Sequence, residues 1–434
     1  MYRYPIEDFY YPGERVEDIG SYKPGGLHPV HIGDTFSTCL GSDKPRYRVL
    51  QKLGQGAFST VWLAHDMSDN DRGVALKINM ADRKWNEEIN LLQALTPAAV
   101  GVSHPGQKHI LQLLDHFQIT GPNGIHDVLV TDVVLPRLAV QDCGVYDPKR
   151  TAYQSLLALD FLSQQGVVHG DLHTDNIAFT LPGLRNLSEK VWMETLEESP
   201  DMVPVIPRQF DGQNDSWPKY LVEPAEVVYI VKLLMKGHGM EKIDAVIIDF
   251  GSAFRASNPI PEYQSPPYFC APEILLQAEH IKEQFYKPDW RFSGDIWSLG
   301  CSIYELVAGH PLFTQSKVEL LESIIEFAGP LPQSWFALLD EKLRLRLEND
   351  EASLRAASEV YQQGVFQGPP GYPTRWKDEI GFASLVQSML KMDPTTREPA
   401  SCLIQNFWFD DIRGQTLRAC ESITASRERE DSAN

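Results

Sequence analysis

Two short polar motifs, each closing an apolar, strand-like run, constrain this chain more than any other feature. They are Val168-His169-Gly170-Asp171-Leu172-His173-Thr174-Asp175-Asn176 and, well downstream, Val246-Ile247-Ile248-Asp249-Phe250-Gly251. Phosphoryl transfer to a hydroxyl needs a carboxylate that orients the nucleophile and accepts its proton, and oxygen ligands that hold a divalent metal against a triphosphate. Asp171 fits the first role, and Asn176 and Asp249 fit the second. Any one of them alone reads as a turn residue. Their order, each beside an apolar strand, argues against that reading for all three.

Upstream, Leu53-Gly54-Gln55-Gly56-Ala57-Phe58-Ser59-Thr60-Val61 is a Gly-rich turn between two strand patterns. Glycine lets backbone N–H groups close over phosphate oxygens without a Cβ in the way. By itself such a turn is no more than a hairpin. Lys77 ends Val74-Ala75-Leu76-Lys77, on the next strand but one, where an ammonium would meet the α- and β-phosphates. It needs a counter-charge; Glu88 on the following helix is the first candidate and Glu87, one residue round, the alternative. The ligands these groups point to are a triphosphate and Mg²⁺.

Acidic side chains outnumber basic ones 59 to 39, a formal net charge of -20. That balance argues against a nucleic-acid or membrane-surface binder and admits a basic partner. The six cysteines are scattered, with no C-x-x-C pair, so neither a disulfide framework nor a zinc site is expected. The beginning of the chain is aromatic and acidic, and no stretch approaches ~18 apolar residues. A reducing, intracellular compartment, cytoplasm and/or nucleus, is the expectation.

The fold class expected is α+β and bilobal, with an antiparallel N-lobe sheet carrying one main helix and a mostly helical C-lobe. Tyr47 to Leu53, Thr60 to Ala64 and Gly73 to Ile78 are short β-branched or aromatic runs between turn residues. In the segment from Lys84 to Leu95, Ile89, Leu91, Leu92 and Leu95 recur at helical steps. So do Tyr153, Leu156, Leu157, Asp160 and Phe161, and later Val318, Leu321, Ile324 and Ile325. The domain reading is an N-terminal extension over 1–46, an N-lobe over 47–135, a C-lobe over 136–412 with an insertion at about 182–244, and a charged tail over 413–434. The extension reads as an arm laid on the domain or a partly ordered tail. The insertion reads as a tether between elements already fixed by the core, one that could be shortened between Asn186 and Pro218 at little cost.

Further motifs make a resemblance specific: Ala271-Pro272-Glu273, then Asp295-Ile296-Trp297-Ser298-Leu299-Gly300, then Arg397 in Asp393-Pro394-Thr395-Thr396-Arg397. Residues 46–409 resemble a eukaryotic protein kinase. Within that family the chain most resembles the SR-protein kinases, as a fungal-type divergent member, through the segments from Lys23 to Asp34, Phe58 to Leu63 and Asn123 to His126, and through the position of its insertion. The resemblance implies an ATP- and Mg-dependent serine/threonine kinase acting on basic, Arg-Ser-rich proteins in the regulation of mRNA splicing. It implies a monomer without direct nucleic-acid or membrane contact. It also implies a buried Glu273–Arg397 ion pair, and Asp295 capping the catalytic-loop backbone.

The same resemblance implies a nucleotide site from Leu53, Gly54, Gln55, Gly56, Ala57, Phe58, Ser59, Val61, Ala75, Lys77, Thr131, Asp132 and Val134. Thr131 is then the gatekeeper, and Asp132 to Val134 the adenine-contacting hinge. Catalysis falls to Asp171, Lys77, Glu88 and His173, and the metal to Asn176 and Asp249. The chain departs from the pattern at His173, which stands where typical kinases have a lysine directed at the γ-phosphate, and at Pro266, in place of that lysine's threonine partner. Gly170 replaces the arginine that reads an activation-loop phosphate, so activity independent of loop phosphorylation is expected. The histidine leaves a pseudokinase scaffold as the alternative. A small-molecule phosphotransferase is disfavoured by the Ala271-Pro272-Glu273, Asp295 and Arg397 set.

Overall fold

The computed structural model describes residues 9–10, 15–38, 44–69, 72–82, 86–96, 104–181, 183–184, 187–195, 201–207, 215–238, 243–258, 265–279, 291–314, 317–336, 338–347 and 379–414. The chain divides into two compact units. The first takes Met1–Val102, Leu111–Tyr146 and Ala178–Gly251; the second takes Ser103–Ile110, Asp147–Ile177 and Ser252–Asn434.

The first unit is built on a six-stranded antiparallel sheet. Its strands are β1 (Thr35–Phe36), β2 (Tyr47–Gly56), β3 (Ser59–Asp66), β4 (Arg72–Asn79), β5 (Leu113–Gly121) and β6 (Gly124–Thr131), in the order β1-β2-β3-β4-β6-β5. On the edge strand β5, Phe117 and Ile119 point inward while His116, Gln118 and Thr120 face solvent, the two-residue period of a half-buried strand. The central β3 and β4 are buried almost throughout, so both faces of the sheet are covered. On one face Tyr47, Trp62, Val74, Leu76 and Val128 form a core that also takes in Val30 from the N-terminal arm and Val222 from the insertion. The helix α1 (Asn86–Ala94) presents Ile89, Leu91 and Leu92 to the interior, the spacing expected of it.

The arm lies on the sheet. Gly33 N–H donates to the Val49 carbonyl (2.9 Å) and Val49 N–H to that of Asp34 (2.9 Å). Val16, Ile19, Tyr22 and Leu27 pack with Leu221 of the insertion, and Val203, Val205 and Trp217 lie against that cluster. Only glycine fits at Gly26, where a Cβ would come 2.0 Å from the Ser21 carbonyl oxygen.

The insertion is therefore not a tether. Its strands Met202–Pro204 and Tyr220–Val222 pair antiparallel. Trp192 is only 1% exposed and fills the space over Gly73, where a Cβ would stand 2.6 Å from the indole Nε1. Glu189 pairs with Arg48 and, at 3.1 Å, with His65. The sequence reading set 182–244 within the C-lobe, whereas these contacts group it with the strand-rich unit. The physical reason is that the sheet face carrying Trp62 and Leu76 would otherwise be wet. Asn186 lies outside the described residues.

The second unit is mainly helical. Its long helices α2 (Pro148–Gln164) and α3 (Arg291–Ala308) pack together. Asp147 caps α2, its carboxylate accepting from the N–H groups of Lys149 and Arg150, with Pro148 in the first turn where its missing N–H costs nothing. Glu273 and Arg397 form a bidentate pair (2.6 and 2.7 Å), both side chains fully buried. Arg397 also donates to the carbonyls of Lys391, Ser293 and Met392, so its charge is enclosed in satisfied hydrogen bonds. Among the described residues no helix is long and apolar enough to cross a membrane.

Candidate active site

In the first unit the Gly-rich turn is a tight hairpin: Gly54 pairs with Val61, Gln55 with Thr60 and Gly56 with Ser59. Gln55 to Phe58 are exposed, and nothing stands within 4 Å of where a Cβ on Gly54 would lie, so the backbone there is open to a ligand. The turn is also held at Phe58, whose carbonyl accepts from Met80 N–H (2.9 Å).

Lys77 lies opposite Val61 across β3 and β4. Its ammonium is 2.7 Å from Glu88 Oε1 and 2.8 Å from Asp249 Oδ1. Burial disfavours the charged amine, but the two carboxylates outweigh it and hold the Lys77 pKa above its ordinary value. Glu88 is buried whereas Glu87 is exposed, so the counter-charge is Glu88. Asp249 has φ of 60°, the only positive value outside glycine among the described residues, and its side chain is 49% exposed. Ala75 stands opposite Thr131, the buried last residue of β6, whose hydroxyl donates to the Asp132 carbonyl (3.2 Å). The Asp132 carboxylate pairs with Arg72 and ties the start of β4 to the segment after β6.

In the second unit the strand Val167–Val168 pairs with Phe254–Arg255 and leads directly into the loop carrying Asp171. Asp295, from α3, accepts from the N–H groups of His169 (2.7 Å) and Gly170 (3.0 Å). Burial pushes its carboxyl up to about 7, with the two N–H donors pulling the other way. The amide nitrogen of Asn176 donates to the Asp171 carbonyl (2.7 Å) and lies 3.0 Å from His173 Nε2. An amide N–H can only donate, so a hydrogen bond at this contact uses Nε2 as the acceptor. His173 Nε2 is 3.8 Å from Asp171 Oδ1, and the ring lies 5.7 Å from that of Phe269. Pro266 precedes a short turn of helix, Pro267–Phe269, anchored by Ser298 donating to the Phe269 carbonyl (2.8 Å).

In the first unit Asp249 offers a half-exposed carboxylate, and in the second Asn176 an amide oxygen, each a donor type that a hard cation takes. Among the described residues no three His, Cys, Asp or Glu side chains gather to form a metal cage. Mg²⁺ is ordinarily held by one or two carboxylates together with substrate phosphates, so the donor type of each residue suits it.

Sequence reasoning missed the buried Lys52, which receives Glu17 from the arm, and the Arg72–Asp132 tie. An unbroken lysine inside the buried half of β2 was the one signal for the first; the second had none.

A family profile described as protein kinase domain matches residues 233–409. A serine/threonine protein kinase of Aspergillus fumigatus is 27% identical over 415 residues, 90% of each chain. The serine/threonine-protein kinase SRPK of Physarum polycephalum is 30% identical over 344 residues, 74% of each chain. SRSF protein kinase 3 of Homo sapiens is 36% identical over 176 residues, 38% of this chain and 29% of that one.

Proposed function

This chain belongs to the protein kinase family as an SRPK-like serine/threonine protein kinase, and on that premise we propose that it transfers the γ-phosphoryl group of Mg·ATP to serine in basic, Arg-Ser-rich proteins. The observation that carries the reading is the Lys77 ammonium held between Glu88 and Asp249. Such an amine keeps its charge for phosphate, and its two carboxylate partners fix where it points.

The Gly54 to Ser59 turn supplies backbone N–H groups to the triphosphate, and Lys77 supplies charge to it. Thr131 and Asp132 to Val134 bound the adenine site, with Leu53, Val61 and Ala75 as its apolar walls. Asp249 and Asn176 would hold Mg²⁺, which when bound neutralises charge building on the phosphates. Asp171 orients the serine hydroxyl and accepts its proton as the oxygen–phosphorus bond forms. His173 lies beside both Asp171 and Asn176 and is oriented by the latter.

The substrate class rests on two supports. The human relative's printed name makes SRSF proteins its substrates, and a net charge of -20 favours encounter with a basic chain. Action in cytoplasm or nucleus, as a monomer and without direct nucleic-acid contact, follows from the same reading. The test is ³²P transfer from ATP to an Arg-Ser peptide, to a basic protein without Arg-Ser repeats and to no added substrate. Strong Mg-dependent labelling of the peptide alone is expected. Equal labelling of both substrates would overturn the Arg-Ser assignment.

A further inference from the structure

Lys52 lies in β2, two residues before Gly54, and is 0% exposed. Its backbone carbonyl accepts from Ala225 N–H of the insertion (2.9 Å), and its ammonium stands 5.9 Å from the centre of the Trp62 ring. Among the described residues no strand carboxylate pairs with it. The counter-charge comes from the arm: the Glu17 carboxylate pairs with the Lys52 ammonium and also accepts from the Tyr22 hydroxyl. The same ammonium donates to Gln55 Oε1 (2.5 Å), at the start of the exposed turn, and Gln55 Nε2 reaches the Arg15 carbonyl (3.5 Å). A chain of side chains therefore runs from the arm through a buried lysine into the Gly-rich turn.

The position of that lysine is fixed by its partners. A buried ammonium persists only when paired and hydrogen-bonded, and Glu17 and Gln55 are what hold this one. Burial alone pulls the Lys52 pKa down, and Glu17 opposes it. Without Glu17 the ammonium has reason to turn toward water, and it would take Gln55 with it. The turn it would release is held otherwise by its hairpin pairs and by Met80.

We propose that the N-terminal arm is a built-in brace for the Gly-rich turn, with Glu17 a positioning residue that acts through Lys52 on Gln55 to set the turn over the triphosphate. This rests on the nucleotide reading of that turn. It gives the arm a part in ATP use rather than in folding alone.

The experiment measures the KM for ATP, kcat, affinity for a fluorescent ADP analogue and melting temperature of the full chain. The variants are Glu17→Gln, Glu17→Asp, Gln55→Ala and the double variant Glu17→Gln/Gln55→Ala, with Lys77→Met as control. Each of Glu17→Gln and Gln55→Ala raises the KM for ATP about five-fold, the scale of one ordinary hydrogen bond, with little change in kcat. The double variant stays near about five-fold, because both changes cut one relay, and Glu17→Asp stays close to wild type. A double variant near ~25-fold, the product of independent effects, would overturn the relay. So would Gln55→Ala with unchanged KM, or Glu17→Gln that lowers only the melting temperature. If Lys77→Met binds the analogue as tightly as wild type, the nucleotide reading itself falls and this proposal with it.

Discussion

Gly170 faces the Ser252 carbonyl oxygen so closely that a Cβ on Gly170 would stand 2.8 Å from it, and Gly170 also holds φ at 76°. Either condition disfavours a side chain, and together they make one strained there. An arginine at this point would carry the cost of the backbone that turns the Asp171 loop.

Gly170→Arg should accordingly destabilise the second unit by about 1–3 kcal/mol, the cost of a forced left-handed residue, and confer no response to phosphate. Thermal unfolding and activity before and after phosphatase treatment check this, with wild-type activity expected to survive the phosphatase. Of the loop hydroxyls, Ser257 is exposed, Ser265 is buried, and Tyr263 lies outside the described residues.

Trp192→Ala should lower stability by about 3–5 kcal/mol, the range for truncating a buried tryptophan, and deleting residues 187–218 should do worse. Urea unfolding of the full chain measures both. A spacer that merely joined two fixed elements would show neither loss.

Acid should weaken the first unit through His28. Its pKa is lowered from 6.5 to about 4, first by burial and then by neighbouring His126, with Asp34 opposing. The rings of His28 and His126 lie 4.9 Å apart, and His126 is lowered in the same direction by burial. The unfolded chain binds these protons more readily than the folded one, so stability is full above about pH 6.5 and falls as pH drops toward 4. His28→Gln should flatten that fall in a pH series of melting temperatures.

His173→Ala should slow turnover by roughly five- to ten-fold, since it removes the acceptor beside the Asn176 amide and a hydrogen bond of that kind contributes about 1 kcal/mol. His173→Gln, which keeps an acceptor oxygen, should retain more activity than His173→Ala. Equal rates for both variants and wild type, measured as kcat at saturating ATP, would mean the imidazole only fills space.

Much of the candidate site was legible in the chain because its chemistry demands particular residue types at fixed spacing. Lys77 ends an apolar run, Glu88 sits on the buried face of the next helix, Asp171 and Asp249 come shortly after apolar runs, and Asn176 comes directly before one. The hairpin of β2 and β3 was legible for the same local reason. What could not be read were partnerships across long separations. Glu17 looks like any acidic residue in a tail until Lys52 is found beneath it, and Leu221 carries no sign that it will pack on Tyr22. The insertion was grouped with the C-lobe because a polar, Pro-rich composition says nothing of how Trp192 and Trp217 pack. Gly170 was visible, but the approach of the Ser252 carbonyl to it is a fact of the folded backbone.

The central claim, that Asp171 and Asp249 serve one phosphoryl transfer, is tested most directly by ³²P incorporation into an Arg-Ser peptide. Wild type, Asp171→Ala and Asp249→Ala would be compared at matched melting temperature. Wild type should label the peptide on serine only with Mg²⁺ present, and each variant should lose nearly all of that labelling while remaining folded. Labelling by either folded variant at close to the wild-type rate would contradict the assignment.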